Sequence, residues 1–239
     1  MTPPTTFFLP SRISIGHEQS VDFHPLLITS NTATELLTFA ISYAKHIPRD
    51  GRLILITATH KTAFTTKISS SLFSSSSSPF ANTRSIAASN RITIYYVETL
   101  AHLRVLLSNL QHSKISFLGV DSVISLHDAA SELSAQGISR TIAAMVNITS
   151  ASKGVLVLRE SSDTVERSVT ILNAGVTGSF SHSTVPIIRI LGRWVRGFWN
   201  QLVNDEGECK AEWRCLGEKY QIQWTMDNGE IDDVQISNL

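Results

Sequence analysis

Leu26-Leu27-Ile28-Thr29-Ser30-Asn31-Thr32-Ala33-Thr34-Glu35-Leu36-Leu37 is the stretch on which the fold turns. Apolar and β-branched residues run into a short polar loop. A helix follows, whose apolar positions Ala33, Leu36, Leu37, Ala40, Ile41 and Ala44 keep three–four spacing. Strand, tight loop and helix in this order are the setting of a phosphate-cradling loop, G-x-x-x-x-G-K-[ST], in which backbone N–H groups and a lysine hold the phosphates. Read without gaps, Ser30 stands at the first glycine, Glu35 at the second, Leu36 at the lysine and Leu37 at the hydroxyl residue. The frame for a nucleotide is present and the groups that grip a triphosphate are absent. That combination points to binding and assembly rather than catalysis.

Outward from this unit the pattern repeats. Short apolar runs at Leu53–Thr57, Ile92–Val97, Ile115–Val120 and Gly154–Leu158 lack polar alternation, as parallel strands covered on both faces do. Between them, Leu100, Leu103, Leu106, Leu107 and Leu110 mark one helix, and Ile138, Ile142, Ala143, Val146 and Thr149 another. The expected class is α/β, a mainly parallel central sheet flanked by helices. Lys210–Leu216, Tyr220–Met226 and Ile231–Ile236 read as antiparallel C-terminal strands, with Asp227-Asn228-Gly229 as a hairpin turn. Residues 160–186, rich in Gly, Ser and Thr, read as a long loop with one short strand at Ser168–Leu172. Trp194, Phe198 and Trp199, at i, i+4 and i+5, suit a helix packed on the sheet or a partner interface.

At 239 residues the chain suits one sizeable domain, here 25–239, preceded by an arm at 1–24. The one low-complexity tract, Ser69-Ser70-Ser71-Leu72-Phe73 and Ser74 to Ser78, places a surface insertion at about 69–90, because serine buries too little to offset ordering entropy. No apolar run is long enough to span a bilayer, and MTPPTTFFLPSR lacks the features of a secretory leader. Two cysteines, Cys209 and Cys215, make no disulfide framework, and no His or Cys cluster has metal-ligand spacing, so a cytosolic or nuclear setting is expected with no metal. Net charge is zero, yet residues 151–203 hold six Lys/Arg against three acids, and 204–239 hold three against nine. Such asymmetry favours oriented contacts.

A second landmark of nucleotide sites survives. Ile115-Ser116-Phe117-Leu118-Gly119-Val120-Asp121-Ser122 is an apolar strand ending in an acid, the position that holds magnesium-bound water in nucleotide hydrolases. With Val123-Ile124-Ser125-Leu126 and Glu132-Leu133-Ser134-Ala135-Gln136-Gly137-Ile138-Ser139-Arg140 after it, this segment resembles the core of RecA-type recombinases. The resemblance runs over roughly residues 12–203. By it, Leu53–Thr59 is the strand whose end carries the water-activating glutamate, and Thr59 or a neighbour stands there instead. The departures are similar to those of nucleotide-free paralogues, especially Shu-type complex subunits.

The resemblance implies a RecA-like fold without enzymatic activity or cofactor, acting in the nucleus in homologous-recombination DNA repair. It implies pairing with a second RecA-like paralogue, assistance to recombinase filament assembly, and contact with single-stranded or forked DNA. It also implies two DNA-facing loops, here about His127–Gly137 and Glu160–Pro186. The first is acidic. The second carries Arg167 and His182 and is flanked by Arg159, Arg189, Arg193 and Arg196, of which Arg167, Arg189, Arg193 and Arg196 are the four candidate phosphate contacts. Candidate partner contacts are Phe7 and Phe8 in the arm together with Trp194, Phe198 and Trp199. Another reading of a nucleotide-free RecA-like chain is a scaffold subunit of an Elongator-type tRNA-modification complex. A true α/β enzyme would draw on Asp121, His127 and Asp128, but no histidine forms a recognisable triad and no G-x-S-x-G elbow is present.

Overall fold

The computed structural model describes residues 13–14, 20–21, 25–29, 34–46, 51–66, 83–174, 180–203, 209–215, 218–227 and 230–238. Two short strands, β1 (Ile13–Ser14) and β2 (Ser20–Val21), pair with each other. The main sheet draws on β3 (Leu26–Thr29), β4 (Arg52–Thr57), β5 (Ile92–Tyr96), β6 (Ile115–Asp121), β7 (Val155–Glu160), β10 (Gly197–Val203), β11 (Cys209–Cys215), β12 (Glu218–Asp227) and β13 (Glu230–Asn238). Their order is β13-β12-β11-β10-β3-β7-β6-β4-β5. From β10 to β5 every pairing is parallel, and from β10 to β13 every pairing is antiparallel. The chain is therefore α/β, a six-stranded parallel sheet with antiparallel C-terminal strands at one edge, as expected.

Helices cover the parallel part on both sides. They are α1 (Thr34–His46), α2 (61–66), α3 (Thr83–Ser89), α4 (Leu100–Leu110), α5 (Val123–Ala129), α6 (Ala135–Ala151), α7 (Ser162–Glu166) and α8 (Ile187–Leu191). The strands show why both faces are apolar. Leu26, Ile28, Leu53, Leu55, Val155 and Val157 pack toward α1. Their alternates Leu27, Ile54, Ile56, Leu156 and Leu158 pack toward α4, α6 and α8. A period of two with apolar residues on both phases is the signature of a doubly covered strand. Gly119 on β6 lets α1 come close, since a Cβ there would lie 3.2 Å from the Leu36 side chain.

Three expectations are corrected. Residues 160–186 are not one long loop: α7 follows β7, and the strand expected at Ser168–Leu172 is β8 (Ser168–Ala174), which pairs with a second strand, β9 (Phe180–Pro186), as a separate hairpin. The segment His127–Gly137 is mostly helical, because α5 begins directly after β6 and only 130–134 join it to α6. The described end of the 69–90 segment holds α3, which packs against α1 through Ala88 and leaves Thr83, Ile86 and Ala87 exposed; the serine tract lies outside the described residues. Phe198 and Trp199 lie on β10, not on a helix. The helix ends at Leu191, Gly192 leads into a turn, and aromatic and branched residues then extend beside β3.

Candidate functional site

The carboxyl ends of the parallel strands bring together a cluster of buried polar groups. Thr57, Asp121 and Arg159 are cross-strand neighbours on β4, β6 and β7. Asp121 is 1% exposed and Arg159 6%. The Arg159 Nη1 donates to Asp121 Oδ1 at 2.9 Å, and Ser122 Oγ donates to the same oxygen at 3.0 Å. Thr57 Oγ1 donates to Oδ2 at 2.8 Å, with Thr59 Oγ1 at 3.5 Å. A carboxylate has about four lone-pair sites. Those of Asp121 are therefore met from inside the protein. The acid position survives as the anion of an internal ion pair, and two threonines stand where the family resemblance puts a water-activating glutamate.

Glu160 follows Arg159 and is also buried. Its Oε1 accepts from the Ile124 N–H at 3.0 Å, tying the end of β7 to the start of α5. Burial pushes its carboxyl up to about 8, with the Asp121 charge adding to the rise and the Ile124 N–H and Arg159 opposing it. At neutral pH Glu160 holds a proton, so the charges of the cluster reduce to one anion and one cation. Ser122, at φ 61° and ψ 41°, sits in the left-handed region just before α5, and its N–H donates to the Arg159 carbonyl at 2.9 Å.

The first turns of α1 carry the other half of the site. Residues 30–33 lie outside the described residues. Leu36 and Leu37 are buried in the core, Leu36 against Gly119. The side chain in the lysine position thus fills the interior under the sheet.

His127 and Asp128 do not join Asp121. His127 is buried between α5 and α6, with Nε2 3.0 Å from Thr141 Oγ1 and Nδ1 3.4 Å from the Glu132 carbonyl, and burial lowers its pKa. Asp128 is exposed and accepts from Arg167 Nη1 at 2.9 Å. That bond holds the Asp128 carboxyl below its ordinary value.

The four candidate arginines divide. Arg167 is spent on the Asp128 pair, and Arg189 is exposed on α8. Arg193 and Arg196, in the turn after α8, line a cleft of about 530 Å³ with Lys153 and Trp194. Trp194 and Phe198 are half-buried against the core on the α6 and α8 side. Trp199 is 3% exposed and meets the Phe39 ring edge-on at 5.9 Å, so it belongs to the core and leaves Trp194 and Phe198 as partner candidates. Phe7 and Phe8 lie outside the described residues. Sequence reading set Arg159 beside the second loop as a cation and not as the partner of Asp121, and it missed Glu160, Thr57 and Lys153 as site residues. The available signal was an Arg-Glu pair ending an otherwise apolar run.

Among the described residues no three His, Cys, Asp or Glu side chains converge as a metal site, and no helix is long and apolar enough to cross a membrane. A family model described as SPAC22G7.03-like matches residues 22–239, and the chain belongs to that family. No curated protein matches it.

Proposed function

We propose that the chain is a non-catalytic RecA-like subunit of a homologous-recombination DNA-repair complex, paired with a second RecA-like subunit in the nucleus. It contacts DNA and assists assembly of the recombinase filament. The observation that carries this reading is the Asp121–Arg159 ion pair. A nucleotide site on this frame needs a free acid for magnesium-bound water and an ammonium at the start of the first helix. Here the acid is neutralised from the neighbouring strand, and the helix offers the buried carbons of Leu36 and Leu37. A subunit of this kind does not cycle with ATP. It acts as a fixed surface on which other subunits assemble.

The test is thermal unfolding of the purified chain, alone and with its co-purifying partner, in 5 mM MgATP. A site with a Kd near 50 µM would add about 2.7 kcal/mol at a hundredfold excess of nucleotide, or several degrees in Tm for a domain of this size. No shift is expected. A shift of that size, abolished by Asp121→Ala, defeats the reading. A partner that is itself RecA-like, recovered from the organism's own cells, supports the assembly role, and a monomer without partners counts against it.

A further inference from the structure

The cleft of about 530 Å³ opens at the end of the sheet opposite Asp121. Its wall includes Pro25 and Gly154, the residues just before β3 and β7, and the last turn of α6. Lys153, Arg193 and Arg196 stand on it, all exposed. No Asp or Glu is among its described lining residues. Leu156 and Val195 give it an apolar floor, and the half-buried Trp194 ring forms one side.

Three features make this more than a basic patch. The first is the state of the α6 C-terminus, whose carbonyls would otherwise repel an anion. The Thr149 carbonyl accepts from Gly154 N at 2.8 Å and Ser152 N at 3.1 Å, and the Ser150 carbonyl accepts from Lys153 N at 3.1 Å. These acceptors are already engaged. The second is Lys153 itself, held at φ 53°. Glycine is usual in a left-handed position after a helix, and another residue costs about 1–2 kcal/mol there. A lysine kept in that conformation places a cation at the cleft mouth. The next residue fixes its place, because a Cβ on Gly154 would lie 2.2 Å from the Ile115 carbonyl oxygen. The third is the Trp194 indole N–H, which is buried and meets no acceptor among the described residues.

We infer that this cleft binds single-stranded nucleic acid, with Lys153 and Arg193 on phosphates and the Trp194 ring against a base. A cationic rim around an aromatic face is the arrangement that holds an unpaired strand without reading its sequence. An acidic peptide uses the cations and leaves the ring face without a planar partner. The inference rests on the proposed function only for the choice of nucleic acid as the polyanion. It moves the contact to the amino-terminal end of the strands, away from Arg167.

The experiment uses the full chain and a fluorescein-labelled single-stranded 20-mer, followed by anisotropy between 50 and 200 mM KCl. Two cations on a single strand give a slope of log K against log salt near −1.4, so affinity falls roughly sevenfold over that range. Lys153→Glu and Arg193→Glu are each expected to weaken binding at least fivefold at 50 mM, and Arg167→Glu less than twofold. Trp194→Leu is expected to lose at least fivefold. Should it fail to fold by circular dichroism, the two exposed charge reversals still decide. Binding that responds to Arg167→Glu and not to the cleft variants overturns the inference and leaves DNA contact standing. Absence of any binding at 50 mM overturns both. A poly-glutamate 20-mer that competes as well as an unlabelled 20-mer oligonucleotide overturns the nucleic-acid assignment and makes the cleft an acidic-peptide site.

Discussion

Replacing Glu160 by glutamine removes one buried proton and leaves the shape of the site unchanged. The carboxyl is 2% exposed and raised to about 8, against an ordinary value of 4.5. A group that binds its proton more tightly in the folded chain stabilises the fold fully below its unfolded pKa, and that stability is lost as pH rises through the folded pKa. For Glu160 the window runs from about 4.5 to 8. At about 1.4 kcal/mol per pH unit, the loss across it is on the order of 3–5 kcal/mol. Glutamine keeps an oxygen for the Ile124 N–H and has no proton to lose. The variant should match the wild type near pH 5 and exceed it above pH 8, with Tm higher by about 10 °C. The assay is urea and thermal unfolding of both proteins from pH 5 to 8.5. His127 acts in the opposite sense, because its lowered pKa makes stability rise with pH, so the difference between the two proteins isolates Glu160. A difference that stays flat with pH, or a variant weaker than the wild type at pH 8, would refute the protonated state of Glu160.

Other perturbations test the same region. Arg159→Met strands the Asp121 carboxylate in the interior and should cost about 3–5 kcal/mol, whereas Arg159→Met with Asp121→Asn should recover most of it, as denaturant midpoints will show. Leu36→Ala opens a void against Gly119 and should cost about 2–5 kcal/mol without changing the response to MgATP in the thermal assay. Breaking the exposed Arg104–Glu132 pair by Arg104→Ala should move stability by less than about 1 kcal/mol, since both partners are half exposed. Ser131→Gly, at φ 55°, should stabilise by about 1 kcal/mol, read as a rise in urea midpoint.

How much of this was legible in the sequence depended on where the information lay. Runs such as Leu53–Thr57 and Ile115–Val120 announce buried parallel strands by composition alone, and the spacing of Leu100, Leu103, Leu107 and Leu110 announces α4, because both signals are local. Of the β8–β9 hairpin only the first strand was legible, at Ser168–Leu172. Its strands, Ser168–Ala174 and Phe180–Pro186, are rich in serine and threonine, which loops also favour. Trp194, Phe198 and Trp199 satisfied a helical spacing by coincidence, since the chain leaves the helix at Gly192 and two of the three aromatics belong to β10.

Of the polar cluster, local pattern shows only the Arg159-Glu160 pair ending an apolar run, and not its meeting with Asp121 and Thr57. Arg159 meets Asp121 because β7 inserts between β3 and β6, and Thr57 meets it because β4 lies on the other side of β6. Strand order in a parallel sheet is set by crossovers that leave no mark on the strands themselves. The same order explains why the acid is harmless to the fold. A lone carboxylate at the buried end of β6 would carry an uncompensated desolvation cost, and the neighbouring strands supply a guanidinium and a hydroxyl at hydrogen-bonding distance. With those partners, keeping Asp121 requires no nucleotide, and the acid at this landmark is by itself no sign of one. Arg159→Met with Asp121→Asn separates the two meanings of the residue. If the acid serves only its partners, the double variant keeps its fold and loses no partner binding in co-purification. A double variant that folds and loses a protein that co-purifies with the wild type would show that the charged pair has a task beyond holding the sheet end together.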